Sequence, residues 1–312
     1  MGEFKYTDYL RRRISPEETL NDLLSFPRYL EIETVNTCNA RCPMCTIDEW
    51  TRQSPTMKDD LYARIVDEIR EHSAEMQRVS LYRDGEPLLD KKLPDRINML
   101  KSVNVPTVSI ATNVSLLNEE RAKRILEAGI DHVILSIDSL KKEVFEGIRV
   151  RLNFEQVLEN ALRFIELRNK FRPQTQIVIR MIRQETNFDE WPSYNQFWAD
   201  KVAAHDKVYF HNLHNWGDQL SGFESTDKSN EHIFPCVALW SLMVIFANGD
   251  VPMCNVDYNN KFPTGNLLEA SIQELWTSEV MKSRREMHFT GNKDLIAPCG
   301  NCNVWDEGRV EG

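Results

Sequence analysis

Three cysteines in one short stretch, Thr37-Cys38-Asn39-Ala40-Arg41-Cys42-Pro43-Met44-Cys45, are the residues of this chain best suited to chemistry. The spacing Cys-x3-Cys-x2-Cys lets a single loop bring three thiolates around an iron–sulfur cubane, each on a different iron. The fourth iron is then left without a protein ligand, a vacancy that suits a small molecule chelating through an amine and a carboxylate. A zinc site or three free thiols are the plainer alternatives, although structural zinc wants four ligands, often from two Cys-x-x-Cys pairs. Four further cysteines, Cys236, Cys254, Cys299 and Cys302, gather toward the other end, and none lies between the two groups. Four thiolates suit one fully protein-ligated centre, either a four-thiolate zinc site or a second cluster. An odd total of seven, with no secretion signal, disfavours a disulfide framework. If both groups bind metal, every thiol is used and none remains to donate a hydrogen atom.

The elements around these residues alternate. Strand patterns occupy 29–35, 78–82, 107–112, 132–137, 176–182 and 207–213, short and rich in Val, Ile, Leu and Tyr, as strands covered on both faces are. Helical patterns occupy 59–75, 90–102, 118–128, 154–171 and 188–199, with Asn118 as an N-cap and Gly129 as a C-cap. Six strands in series with intervening helices imply a parallel sheet with right-handed crossovers, and thus an α/β fold, a partial (β/α)6 barrel of the TIM kind. Its site is expected at the C-terminal strand ends, where the first cysteine loop falls. After about residue 215 the pattern changes. Residues 221–230 read as a polar linker, Asn248-Gly249 between the apolar runs 242–247 and 251–254 signals a hairpin, and 272–287 reads as one helix. The expected division is an N-terminal extension (1–27), the barrel (28–220) and a small α+β hairpin-plus-helix module (221–312).

Composition narrows the classes of partner. The 312 residues are 41% hydrophobic, enough for a sizeable core, and carry a formal net charge of −10. That balance argues against a nucleic-acid surface, which needs a basic stripe, and gives no reason to expect an anionic membrane. No apolar run approaches the roughly 20 residues that span a bilayer, and the first residues lack a signal-peptide core. Arg11-Arg12-Arg13 reads as a solvated run, and a cytoplasmic location is expected.

The cysteine loop after strand one of a six-fold β/α array resembles the radical S-adenosylmethionine superfamily over about residues 28–215. Further landmarks follow in order. Asp84-Gly85-Glu86-Pro87 after the second strand resembles the Gly-Gly-Glu-Pro motif that binds the methionine amino group, with Asp84 in place of the first glycine and free to reach substrate. Thr112-Asn113 resembles the family's Thr-Asn-Gly, with Val114 in place of glycine. Ser136 and Asp138 after the fourth strand fall where the family meets the ribose, and Met44 stands where an aromatic residue often approaches adenine. The later cysteines are similar to the SPASM and Twitch extensions of this superfamily. Four of them suit the shortened Twitch type with one auxiliary [4Fe–4S] cluster, as in 2-deoxy-scyllo-inosamine dehydrogenases.

The resemblance implies S-adenosyl-L-methionine and a [4Fe–4S] cluster on Cys38, Cys42 and Cys45, which together yield a 5′-deoxyadenosyl radical. It implies a small-molecule substrate and an external one-electron reductant such as flavodoxin or ferredoxin. With every thiol assigned, the expected reaction is oxidation of a sugar or aminocyclitol hydroxyl to a ketone, the auxiliary cluster taking the electron. Epimerisation, or modification of a peptide or protein, is the alternative; fewer than 30 residues precede strand one, which speaks against a peptide-recognition domain. Polar residues at strand ends complete the candidate site: Asp84, Arg180 and His211 as catalytic groups, and Tyr82, Arg83, His214 and Trp216 as substrate contacts. His72, His132, His205, His232 and His288 are expected to be structural, and Trp191, Trp198, Trp240, Trp276 and Trp305 to be core.

Overall fold

The computed structural model describes residues 20–52, 56–214, 216–217, 219–220, 236 and 238–302. The 221–230 linker, Arg11–Arg13, His232 and Trp305 lie outside them. Six strands follow the expected order: β1 (Tyr29–Ile32), β2 (Arg78–Ser80), β3 (Thr107–Thr112), β4 (His132–Ser136), β5 (Gln176–Arg183) and β6 (Lys207–Asn212). Between and before them run α1 (Leu20–Ser25), α2 (Asp59–Glu71), α3 (Leu93–Ser102), α4 (Glu119–Glu127), α5 (Lys142–Ile148), α6 (Phe154–Phe171) and α7 (Trp191–Ala199). β4 is buried along its whole length, as befits a strand with helices outside and packed side chains inside. β1 alternates instead: Leu30 and Ile32 are buried against the helices, while Tyr29 and Glu31 keep some exposure. Asn118 does cap α4, accepting from the Arg121 amide at 3.0 Å, and Gly129 ends it with φ +91°.

The sheet has seven strands, ordered β6-β5-β4-β3-β2-β1-β7, all parallel, and it stays open rather than closing into a barrel. The added strand, β7 (Leu242–Ile245), comes from the C-terminal segment and pairs with β1, Leu30 opposite Met243 and Ile32 opposite Ile245. This corrects the hairpin expected across Asn248-Gly249. The turn itself forms, with Gly249 at φ +89° and the Phe246 amide on the Asp250 carbonyl at 2.8 Å. Its two arms then part. β8 (Asp250–Pro252) pairs antiparallel with β9 (Pro263–Asn266), so the module's hairpin lies one strand later. The reason is composition: Met243, Val244 and Ile245 are apolar on both faces, which suits a parallel sheet covered on both sides.

Two helical boundaries also differ. The 272–287 run divides into α9 (Ile272–Trp276) and α10 (Glu279–Phe289), because Ser278 turns its hydroxyl to cap the second, accepting from the Met281 amide at 3.3 Å. The 188–199 helix starts late, at Trp191, where Pro192 occupies the first turn. Among the described residues between β6 and β7 is a short helical turn, α8 (Ala238–Ser241). Trp276 is buried, and its indole donates to the carbonyl of Leu23 at 3.0 Å, docking the module against α1. Trp198 and Trp240 are likewise buried and Trp191 is packed against the core, as expected. No helix among the described residues is long and apolar enough to cross a membrane.

Candidate functional site

Immediately after β1 the chain turns through the cysteine loop. The Arg41 guanidinium folds back on the carbonyls of Cys38 (2.9 Å) and Ala40 (2.7 Å), and the Cys45 amide reaches the Cys42 carbonyl at 2.9 Å. Cys38, Cys42 and Cys45 line one cavity of about 350 Å³ at the C-terminal ends of the strands. Burial pushes all three thiols up, Cys45 to about 12, so thiolates need a metal centre to stabilise them here. Donors already face the sulfurs. The Ala40 amide lies 3.4 Å and Asn113 Nδ2 3.8 Å from Cys38 Sγ, and Arg149 Nη1 lies 3.7 Å from Cys42 Sγ. Such outer hydrogen bonds suit ligands of an iron–sulfur cluster.

The loop after β2 lies against this one. The Glu86 amide donates to the Thr37 carbonyl at 2.8 Å. Gly85 permits the approach: a Cβ there would stand 2.4 Å from the Val35 carbonyl oxygen and 2.8 Å from that of Thr37. Glu86 lines the cavity and is almost fully committed, accepting from Thr112 Oγ1 (2.7 Å), the Leu88 amide (3.1 Å) and the Asn113 amide (2.8 Å). Pro87 opens a turn of 3-10 helix and is not among the lining residues. Asn113 also donates to Asn39, at 3.0 Å, tying β3 to the cysteine loop. Val114 adopts φ +70°, the left-handed conformation that explains why glycine is common at this position.

Met44, Thr112, Asn113 and Ser136 line the same cavity, and Arg180 Nη2 donates to Ser136 Oγ at 3.0 Å across the β4–β5 register. Asp138 does not line it. Its carboxylate is spent on the Ile182 amide (2.7 Å) and on Arg149 Nε (2.5 Å), so it acts on the cavity by aiming Arg149. Asp84 reaches the wall but is not free for substrate: Arg52 grips it at 3.0 Å and Arg83 stands at 3.5 Å. Tyr82, Arg83, His214 and Trp216 all line the cavity, with the Trp216 indole donating to the Met44 carbonyl at 3.1 Å. His211 lines it too, and burial, followed by the charge of Arg180, pushes its pKa down to about 3. Burial, then Arg83, brings His214 to about 4. Both imidazoles are therefore neutral.

A second cavity of about 370 Å³ holds Cys236, Cys254, Cys299 and Cys302. Burial raises Cys254 well above its ordinary value and Cys299 to about 12, with the charges of neighbouring thiols next in effect. Among the described residues no three His, Cys, Asp or Glu side chains converge on a lone-ion position. The cavity has room for a larger group. His288 belongs to this wall, its Nδ1 accepting from the Cys236 amide at 3.2 Å, while His132 is buried and His72 stacks on Phe26 at 4.1 Å. The two cavities share three lining residues, Glu31, Tyr82 and Asn255. Sequence reasoning missed Glu31, Asn255, Arg149 and Arg52. For Glu31 a signal existed, a lone charge alternating with Leu30 and Ile32; the other three carry none.

Comparison with known proteins fits this geometry. Residues 32–191 match the radical SAM superfamily, and residues 236–303 match an iron–sulfur cluster-binding domain of the SPASM type. The S-adenosyl-L-methionine-dependent 2-deoxy-scyllo-inosamine dehydrogenase of Niallia circulans is 24% identical over 284 residues, covering 88% of this chain and 92% of the relative. A tungsten-containing aldehyde ferredoxin oxidoreductase cofactor-modifying protein of Pyrococcus furiosus is 32% identical over 113 residues, 36% of this chain and 31% of the relative. The chain thus spans about a third of that relative, and 48% of a GTP 3′,8-cyclase from Chlorobaculum tepidum. Among solved structures, BtrN in complex with AdoMet and 2-DOIA superposes with a TM-score of 0.60 at 22% identity, covering 88% of this chain and 92% of that one. The AdoMet-bound anSMEcpe gives 0.64 at 18% identity, with 84% of each chain covered. These likenesses establish the fold.

Proposed function

Because the chain belongs to the radical SAM superfamily, with S-adenosylmethionine, a [4Fe–4S] cluster and SPASM-type auxiliary iron–sulfur binding as its cofactors, we propose that it oxidises a hydroxyl of a small polyol, a sugar or aminocyclitol, to a ketone. One observation carries this reading: two thiol-lined cavities are neighbours, with Glu31, Tyr82 and Asn255 in the wall of both. A substrate held against that wall would have one thiol set on its own side to receive a hydrogen atom through the cofactor and the other thiol set across the wall to receive an electron. Cys38, Cys42 and Cys45 are the proposed holders of the first cluster; the thiolate-directed donors of Ala40, Asn113 and Arg149 fit that use. Cys236, Cys254, Cys299 and Cys302 are the proposed holders of one auxiliary cluster, and full ligation by protein suits electron transfer.

When bound, the cofactor supplies a carbon radical able to take a hydrogen atom from an unactivated C–H bond. The chain's own residues bind and orient. Met44, Glu86, Thr112, Asn113 and Ser136 form the proposed cofactor wall, with Arg149 providing a positive charge beside Cys42 suited to a carboxylate. Arg83, Arg180, His214 and Trp216 form the proposed substrate wall, and an external flavodoxin- or ferredoxin-type reductant the proposed electron source. The likeness to the inosamine dehydrogenase over 88% of this chain supports the aminocyclitol class. The test is an anaerobic assay with candidate alcohols deuterated at the carbinol carbon. Deuterium should enter 5′-deoxyadenosine, with a product lighter by two hydrogens. Cofactor cleavage without label from any such alcohol would sink the reading, and a product of unchanged mass would indicate epimerisation, for which Tyr82 in the shared wall is the available hydrogen donor.

A further inference from the structure

Oxidation of an alcohol releases a hydrogen atom, an electron and a proton, and the proton needs an acceptor within reach of the hydroxyl. Most polar groups of the radical-side cavity are unsuited. Arg83, Arg149 and Arg180 are cations. His211 and His214, pushed to about 3 and about 4 by burial and neighbouring arginines, are weak bases that the same arginines would oppose once protonated. Asp84 is held by Arg52, and Glu86 by Thr112 and two amides. Glu31 differs on three counts. It stands on β1 and lines both cavities. Its nearest cation, Arg83, stands 3.8 Å from Oε2, beyond hydrogen-bond reach, and that oxygen is buried and makes no hydrogen bond among the described residues. The side chain's 17% exposure lies on atoms other than Oε2.

We propose that Glu31 accepts the substrate's hydroxyl proton. The step rests on the alcohol-oxidation reading and balances within it. The carbinol hydrogen leaves as an atom to the cofactor-derived radical, the O–H proton goes to the Glu31 carboxylate, and one electron passes to an oxidised auxiliary iron–sulfur cluster, leaving the C=O bond. Burial most of all raises the affinity of Glu31 for a proton; Arg83 opposes that rise, the charge of Asp84 adds to it and Arg180 opposes it again, so the carboxylate keeps cations beside it while remaining able to take a proton.

The test compares the reconstituted wild-type enzyme with E31Q and E31D, using 2-deoxy-scyllo-inosamine deuterated on its ring carbons as the probe. E31Q is expected to keep its iron content and to transfer deuterium into 5′-deoxyadenosine. Its ketone formed per 5′-deoxyadenosine should fall about 100-fold, the low end of general-base effects, with E31D partly restoring it. An unchanged ratio in E31Q overturns the proposal. A wild-type enzyme that transfers no deuterium counts against the oxidation reading, and Glu31 is then judged by binding alone. A thermal stabilisation of wild type by the probe that E31Q abolishes upholds substrate contact at Glu31. A stabilisation that E31Q retains, or none in wild type, overturns it.

Discussion

Arg52 should hold together the segments that follow β1 and β2 and those around Phe246 and Tyr258. Its guanidinium meets Glu33 through two hydrogen bonds (2.8 and 2.9 Å) and Asp84 through a third (3.0 Å). Its Nε donates to the Tyr258 carbonyl, and its plane lies 3.6 Å from the centre of the Phe246 ring. The three charged side chains are 6%, 0% and 1% exposed, in that order. Arg52→Met keeps bulk against Phe246 but leaves Glu33 with only the Ala247 amide (3.2 Å) and Asp84 with Arg83 at 3.5 Å. Breaking a buried pair by removing one partner costs about 3–5 kcal/mol. At about 2–4 °C per kcal/mol for a domain of this order, Tm should fall by about 6–20 °C.

The loss should depend on pH. Burial raises the pKa of Glu33 above 4.5, and Arg52 opposes that rise. Without Arg52 the folded-state value climbs further above the unfolded one. The folded variant then binds a proton that the unfolded chain releases, so its stability falls as pH rises through that window and recovers as pH is lowered. Urea unfolding of wild type and R52M at pH 6 and pH 8 reads this directly. The deficit should be larger at pH 8. A Tm within about 2 °C of wild type, below the 6 °C lower bound, or a deficit that does not shrink at pH 6, would refute the reasoning.

Three other expectations test separate parts of the site. If the proposed ligands hold two [4Fe–4S] clusters, Cys254→Ser should lower iron from about eight to about four per reconstituted chain and leave the signal of the cluster proposed for Cys38, Cys42 and Cys45 in place; iron analysis and electron paramagnetic resonance check this. Gly85→Ala should separate the β2 loop from the cysteine loop, since its Cβ would meet two backbone oxygens at 2.4 and 2.8 Å. An overpacking loss of about 1–3 kcal/mol in denaturant unfolding, with weakened cofactor binding by calorimetry, is expected. Val114 is fully buried at φ +70°, where an L-residue costs about 1–2 kcal/mol. Val114→Gly should therefore be at least as stable as Val114→Ala despite its smaller side chain; a Gly variant clearly weaker than Ala in the same unfolding assay would contradict the strain.

The cysteine spacing, the order of six strands and the Gly-Glu pair at 85–86 were legible in the chain because each is local. A loop motif needs neighbours only a few residues apart, and a strand declares itself by its own apolar run. The approach of Gly85 to Thr37, by contrast, appears only in the structure, where a Cβ would meet two backbone oxygens. Partnership across the fold was not legible. Residues 242–245 look like a hairpin arm, yet they complete the sheet beside β1, because an apolar run pairs wherever both its faces are covered. Asp84 looks free in sequence and is claimed by Arg52; Asp138 looks like a cofactor contact and instead aims Arg149 at Cys42. Charges in a desolvated interior take whichever opposite charge the packing brings near, regardless of distance along the chain. For the same reason the shared wall of Glu31, Tyr82 and Asn255 exists only in three dimensions. The sequence determined that two sets of thiols are present; tertiary structure decided that their cavities are neighbours, and which carboxylate lines both.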